Sequence, residues 1–248
     1  MNQNMDDAQR LSKVVAAQVP CSRSEAEQYI TSGFVSVDGV VVDGPAEIDV
    51  VDDRNEDEPM FYVLWGTGRT LVLLEQEVER RLEEGFRTFK IKVGKDIGLD
   101  IERVKAIHAA VEGRALLRLD ANQGWTAKQA VFAMHALEDA GVLLELLEQP
   151  VKAADIEGLK YVTERVHTPV MADESVFGPS QVFDLIERRA ADIINIKLMK
   201  TGGISNAVRI ADIASLYGVQ CMIGCMLESA ISVAAAVHLA VAKADTIT

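Results

Sequence analysis

The segment FRTFKIKVG (residues 86–94) alternates along its length, with Phe89, Ile91 and Val93 on one face and Lys90 and Lys92 on the other. It reads as a strand that ends on a lysine. Four later segments close on a charged residue in the same way: ALLRLD (115–120) on Asp120, VLLELLE (142–148) on Glu148, PVMAD (169–173) on Asp173 and DIINIK (192–197) on Lys197. From Lys92 onward the steps are 28, 28, 25 and 24 residues. Each step is the length of one strand, one helix and two short loops. Such a period predicts parallel strands closing into a (β/α) barrel, whose chemistry gathers at the C-terminal strand ends.

Working outward, MFYVLW (60–65) reads as the preceding strand, with a helix over 71–84 behind it. Further helices are expected over 99–112, 126–140, 155–166, 179–190, 203–217 and 229–243, with apolar residues three and four apart, as at Val104, Ile107 and Val111. GVQCMIGCM (218–226) is a seventh strand, and the sequence reaches Thr248 where an eighth should begin. The barrel over 60–248 is therefore expected to be incomplete, with an unpaired strand edge that favours association, including with a second copy.

Residues 1–50 do not share the period. AQRLSKVVAAQV (8–19) and CSRSEAEQYITSG (21–33) read as two helices, the second with Ser22 as N-cap, Glu25 at the capping-box position and Gly33 as its stop. FVSVDGVVV (34–42) alternates around an Asp38-Gly39 hairpin turn. An acidic linker over 51–59 joins this small α+β module to the barrel.

The chain has 248 residues and a net charge of −13, of which residues 1–58 carry −9. So acidic a chain gains little from phosphate backbones, which disfavours RNA as a partner. Cys21, Cys221 and Cys225 form no disulfide framework, and Cys221-x-x-x-Cys225 lacks companion ligands at zinc spacing, so that pair is expected as small buried apolar residues. No hydrophobic signal or spanning segment is evident, and a cytoplasmic location is expected.

Asp120, Glu148 and Asp173 end three consecutive strands. Three carboxylates in one low-dielectric site repel one another unless a cation neutralises them. Oxygen-only donors suit Mg²⁺ or Mn²⁺ rather than zinc. Lys90 and Lys92 face the barrel interior, where mutual repulsion and burial should lower an ammonium pKa toward neutrality and make a base. Lys197 arrives four strands later from across the barrel. A carboxylate substrate would then meet an amine on each face of its α-carbon. The four histidines fall in expected helices or at their ends, away from catalysis. Trp65 and Trp125 are read as packing, and Gly202-Gly203 as a loop-to-helix turn.

Six ordered motifs carry a family resemblance: KIKVG (90–94), LDANQGW (119–125), LEQPV (147–151), MADESVF (171–177), NIKLMKTGG (195–203) and GCMLES (224–229). Residues 60–248 resemble the muconate-lactonizing branch of the enolase superfamily, and most nearly its dipeptide epimerases of the L-Ala-D/L-Glu type. Enolase-superfamily sites pair a Lys or His base with Mg²⁺. The resemblance implies a TIM-type barrel, with Asp120, Glu148 and Asp173 as Mg²⁺ ligands and Lys92 and Lys197 as opposed acid/bases. It implies that Lys90 polarises the substrate carboxylate, that Asn122 lies near the outer shell of the metal, and that Cys225 and Met226 line the substrate pocket from the seventh strand. Its alternatives are N-acylamino-acid racemisation, o-succinylbenzoate synthesis and cycloisomerisation. The capping domain of the family and the Asp-x-Asp of its eighth strand, which holds the substrate ammonium in the dipeptide epimerases, have no counterpart in this sequence. Impaired activity is therefore also an expectation.

Residues 8–50 resemble the small RNA-binding module shared by a ribosomal small-subunit protein and bacterial pseudouridine synthases. Arg10, Lys13 and Arg23 are the basic residues left on its helices. A protein that binds RNA through them, with an inactive barrel, is the rival reading.

Overall fold

The computed structural model describes the backbone of residues 9–10, 26–28, 30, 36–37, 40–41, 47–48, 61–64 and 71–247, and the side chains of 26–28, 30 and 77–247. The chain divides into two compact units, Met1–Asp57 and Glu58–Thr248. No helix among the described residues is long and apolar enough to cross a membrane.

Among the described residues, the smaller unit holds the short strands β1 (Gln9–Arg10), β2 (Ser36–Val37), β3 (Val40–Val41) and β4 (Glu47–Ile48). Val37 faces Val40 across the antiparallel β2–β3 pair, the register expected of a hairpin, while Asp38 and Gly39 lie outside the described residues. Residues 26–28 and 30 are helical, and Ala26 and Ile30, one turn apart, are buried. β1 pairs antiparallel with β4, which corrects the expected helix over 8–19 at Gln9 and Arg10; residues 11–19 lie outside the described residues. The backbone of Gln9 and Arg10 finds its partners far downstream, and that ladder overrides local helical periodicity. Lys13, Arg23, the side chain of Arg10, Cys21, Trp65 and the linker over 51–59 lie outside the described residues.

The larger unit is built of βα repeats. Its strands are β5 (Phe61–Leu64), β6 (Thr88–Lys92), β7 (Leu116–Asp120), β8 (Leu146–Glu148), β9 (Val170–Ala172), β10 (Ile193–Ile196) and β11 (Gln220–Ile223). They form one parallel sheet in sequence order from β5 to β11, the topology of a partial TIM-type barrel. The helices between and after them are α1 (Leu71–Glu83), α2 (Ile97–Val111), α3 (Ala127–Glu138), α4 (Ile156–Thr163), α5 (Pro179–Arg188), α6 (Leu198–Thr201), α7 (Ile204–Leu216) and α8 (Ala230–Ala242). Each helix expected from residue 71 onward is present to within a few residues. Short α6 is an addition that strand-and-helix counting had merged into a loop.

Local chemistry sets these boundaries. Thr126 and Gln129 form a reciprocal capping box that starts α3, and the Asp96 side chain accepts the Leu99 N–H to start α2. Gly202, at φ 74°, ends α6, and Gly203, at φ 110°, starts α7. Both need the left-handed region that glycine enters without strain.

Phe89 and Ile91 are fully buried beneath the helices, with Val104, Ile107 and Val111 of α2 in the same core. Each such side chain contributes on the order of 1.5–3 kcal/mol by leaving water. Lys90 and Lys92 consequently take the other face of β6, toward the barrel axis. On the far side of β11, Cys221 makes an isolated parallel bridge with Ile247 and donates its N–H to the Thr246 carbonyl at 2.8 Å.

Candidate active site

Sheet register brings the charged strand ends together. Lys92 lies opposite Asp120 across β6–β7, and Asp120 lies opposite Glu148 across β7–β8. Asp173 follows the last residue of β9, and Lys197 follows the last of β10. Lys92 Nζ donates to Asp120 Oδ2 and to Asn122 Oδ1, both at 2.7 Å. Lys90 Nζ pairs with Asp120 Oδ2 at 3.1 Å and with Glu148 Oε2. The other Glu148 oxygen accepts Asn195 Nδ2 at 2.9 Å. On the opposite side, Asp173 Oδ2 accepts Lys197 Nζ at 2.6 Å, and Oδ1 pairs with Lys200. All three carboxylates are buried.

Burial, then the neighbouring Asp120 charge, pushes the Glu148 carboxyl up to about 7, against the pull of Lys90. Burial acts the same way on Asp120, but Lys90 and Lys92 outweigh it and hold that carboxyl below its ordinary value. Burial of Asp173 is likewise overcome, by Lys200 and Lys197, and its pKa is lowered. For Lys90 the structure corrects the expectation of a depressed pKa. Burial does pull it down, but Glu148 and Asp120 more than restore it, and the ammonium is held above its usual range. The lysine whose pKa is lowered is instead Lys200, where burial exceeds the support of Asp173.

Three functional positions escaped the sequence reading. Asn195 is buried and lies two residues before Lys197, so strand alternation could have placed both on one face. Lys200 reaches Asp173 only because α6 coils immediately after the strand, for which no periodic signal exists. Gly224 closes in behind Lys197: a Cβ there would stand 2.6 Å from Asn195 Oδ1 and 3.0 Å from Lys197 Cε.

Cys225 and Met226 lie past the end of β11 rather than on it, and both are exposed, Met226 by 50%. That corrects the strand assignment of both residues and the burial expected of Cys225. Cys221 is buried in the core as expected. Asn122 stands beside Lys92, and Trp125 packs into the core. His108, His135 and His238 sit in helices and His167 in the loop after α4, none at a strand end.

Among the described residues, no group of three or more His, Cys, Asp or Glu is drawn close enough to hold a metal ion. Lysine ammoniums lie against the carboxylates and supply the positive charge. The donor set nonetheless fits a hard dication. It is oxygen-only and buried, and burial together with the neighbouring Asp120 charge pushes Glu148 toward neutral pH.

Residues 73–247 match the family model described as Enolase C-terminal domain-like, and residues 9–48 match the S4 domain. An L-Ala-D/L-Glu epimerase of Clostridium acetobutylicum is 57% identical over 159 residues, which cover 64% of this chain and 44% of that protein. An L-Ala-D/L-Glu epimerase of Bacillus subtilis is 52% identical over 168 residues, covering 67% and 46%. The crystal structure of a dipeptide epimerase from Enterococcus faecalis, complexed with Mg and the dipeptide L-Leu-L-Tyr, superposes with a TM-score of 0.71 at 48% identity, covering 77% of this chain and 52% of that one. The chain thus spans about half the length of these named relatives. Motif order, strand-end chemistry and the match over residues 73–247 agree, and the chain belongs to the enolase superfamily through its C-terminal-domain-like barrel.

Proposed function

We propose that the barrel unit is a Mg²⁺-dependent epimerase acting on the α-carbon of a carboxylate substrate, a dipeptide of the L-Ala-D/L-Glu type. One observation carries this reading. Lys92 and Lys197 stand at the ends of strands four apart in the sheet, and each pairs with a different member of a buried set of carboxylates, Asp120 and Asp173. The dipeptide assignment is supported by the names of the relatives.

Asp120, Glu148 and Asp173 are the residues that would hold the cation. When bound, Mg²⁺ supplies positive charge to the substrate carboxylate and so acidifies the α-carbon. Lys90, kept an ammonium by Glu148 and Asp120, donates to the same carboxylate. Lys92 takes the α-proton from one face and Lys197 returns one to the other, which inverts the stereocentre. In the reverse direction the two exchange roles. Asn122 and Asp120 aim the Lys92 Nζ, and Asp173 aims that of Lys197.

The test is proton NMR of L-Ala-L-Glu and L-Ala-D-Glu in D₂O with Mg²⁺. An amine exchanges only the proton that faces it. Lys92→Ala should abolish exchange of one epimer and Lys197→Ala that of the other, and both should lose net epimerisation. A wild type that exchanges neither dipeptide refutes the proposed activity. Equal loss of both epimers in each variant refutes the opposed-base assignment.

A further inference from the structure

The residue after Glu148 is Gln149, and its side chain is fully buried, with 0% exposure. Its amide makes four hydrogen bonds. Oε1 accepts the backbone N–H groups of Asp173 at 2.9 Å and Ser175 at 3.2 Å. Nε2 donates to Ser175 Oγ at 2.9 Å and to the Val151 carbonyl at 3.0 Å. Two N–H donors can face only a carbonyl oxygen, so the orientation of the amide is fixed by its partners and its capacity is filled. The Gln149 backbone also donates to the Met171 carbonyl at 2.9 Å, and its own carbonyl accepts Gln123 N–H at 2.8 Å.

Gln149 holds φ at 34°, in the left-handed region that side chains other than Gly, Asn and Asp enter under strain. Such a conformation persists where surrounding bonds overdetermine it, and it clusters at functional sites. Here the strained residue ties the loop carrying Asp173 to the strand carrying Glu148.

We propose that Gln149 is the positioning residue of the cation site, setting the separation of Glu148 and Asp173 by binding the Asp173 backbone. This rests on the metal-site reading above. With its amide filled by protein partners, Gln149 acts through Asp173. Its carbonyl oxygen is the operative atom, so Gln149→Glu, which keeps an oxygen facing both N–H groups and as the neutral acid one O–H donor for the Val151 carbonyl, should preserve the contact to the Asp173 backbone. Gln149→Met, of similar volume without the oxygen, should not.

The first measurement is amide hydrogen exchange by NMR on metal-free full-length protein. Gln149→Met should lose at least tenfold protection at Asp173 and Ser175, with helices α2 and α7 unchanged, and Gln149→Glu should retain it. The second is Mn²⁺ binding, read from the free-ion electron paramagnetic resonance signal. Gln149→Met should weaken the dissociation constant at least tenfold, while Gln149→Glu stays within about threefold or binds tighter. Leu159→Ala, a core substitution in α4, serves as a stability-matched control. If it weakens Mn²⁺ equally, or if Asp173 protection survives in Gln149→Met, the proposal is overturned. If wild type binds no Mn²⁺ while the protection pattern holds, the metal-site reading falls, and Gln149 stands as a clamp between the ends of β8 and β9.

Discussion

Glu148 should make the metal-free barrel lose stability as pH rises across the weakly acidic range. Its folded-state pKa of about 7 stands above the ordinary 4.5 because burial and the charge of Asp120 penalise the carboxylate. A group whose pKa is raised on folding binds its proton more tightly in the native state. Its contribution is therefore fully present below pH 4.5 and is lost as pH climbs through 7. The displacement of about 2.5 units at 1.36 kcal/mol each gives a ceiling of about 3 kcal/mol. Asp120 and Asp173 titrate below their ordinary values and Lys90 above its own, so none of the three contributes a slope in this window. The assay is urea unfolding at half-unit steps from pH 4.5 to 8 with chelator, comparing wild type with Glu148→Gln. Both tryptophans of the sequence, Trp65 and Trp125, fall within Glu58–Thr248, so their fluorescence reports the barrel unit alone. The wild-type minus variant difference should fall with pH by up to about 3 kcal/mol, and millimolar Mg²⁺ should flatten or invert it. A difference that is flat, or that rises with pH in chelator, refutes the reasoning.

Three further outcomes are expected. Mg²⁺ should raise the melting temperature of wild type but not of Asp173→Ala, since a ligand that binds only the native state stabilises it; equal responses in calorimetry would remove Asp173 from the site. Gly224→Ala should displace Lys197 and Asn195, because the added Cβ falls 2.6 Å from Asn195 Oδ1. It should selectively slow exchange of the epimer served by Lys197 by tenfold or more, and unaltered exchange would show that the Lys197 position is not set by Gly224. The N-terminal module, with Arg10, Lys13 and Arg23 as its basic residues, should bind structured RNA no tighter than the roughly micromolar level of non-specific complexes at physiological salt. A tight complex in a filter-binding titration, abolished by Arg23→Ala, would reverse that expectation.

The sequence alone determined the order of the strands, the charged residue at or just past the end of β6 to β10, and the face of β6 that carries Lys90 and Lys92. Those properties follow from local periodicities, 2 along a strand and 3.6 along a helix, and from the regular interval between charged strand ends. The resemblance of six ordered motifs to the enolase superfamily, and of residues 8–50 to a small RNA-binding module, made the family and the N-terminal module legible. Tertiary structure decided what distance in sequence conceals. Gln9–Arg10 became a strand because Glu47–Ile48 offered it a ladder. The Lys90 pKa is raised because β7 and β8 set Asp120 and Glu148 beside it, against the downward pull of burial. Lys200 joined Asp173 through the turn of α6, and Gln149 closed its buried amide on a loop 24 to 26 residues away. A pKa or a filled hydrogen-bond capacity is a sum over neighbours in space. Sequence periodicity shows which way a side chain points, and only the packed sheet supplies what it meets there.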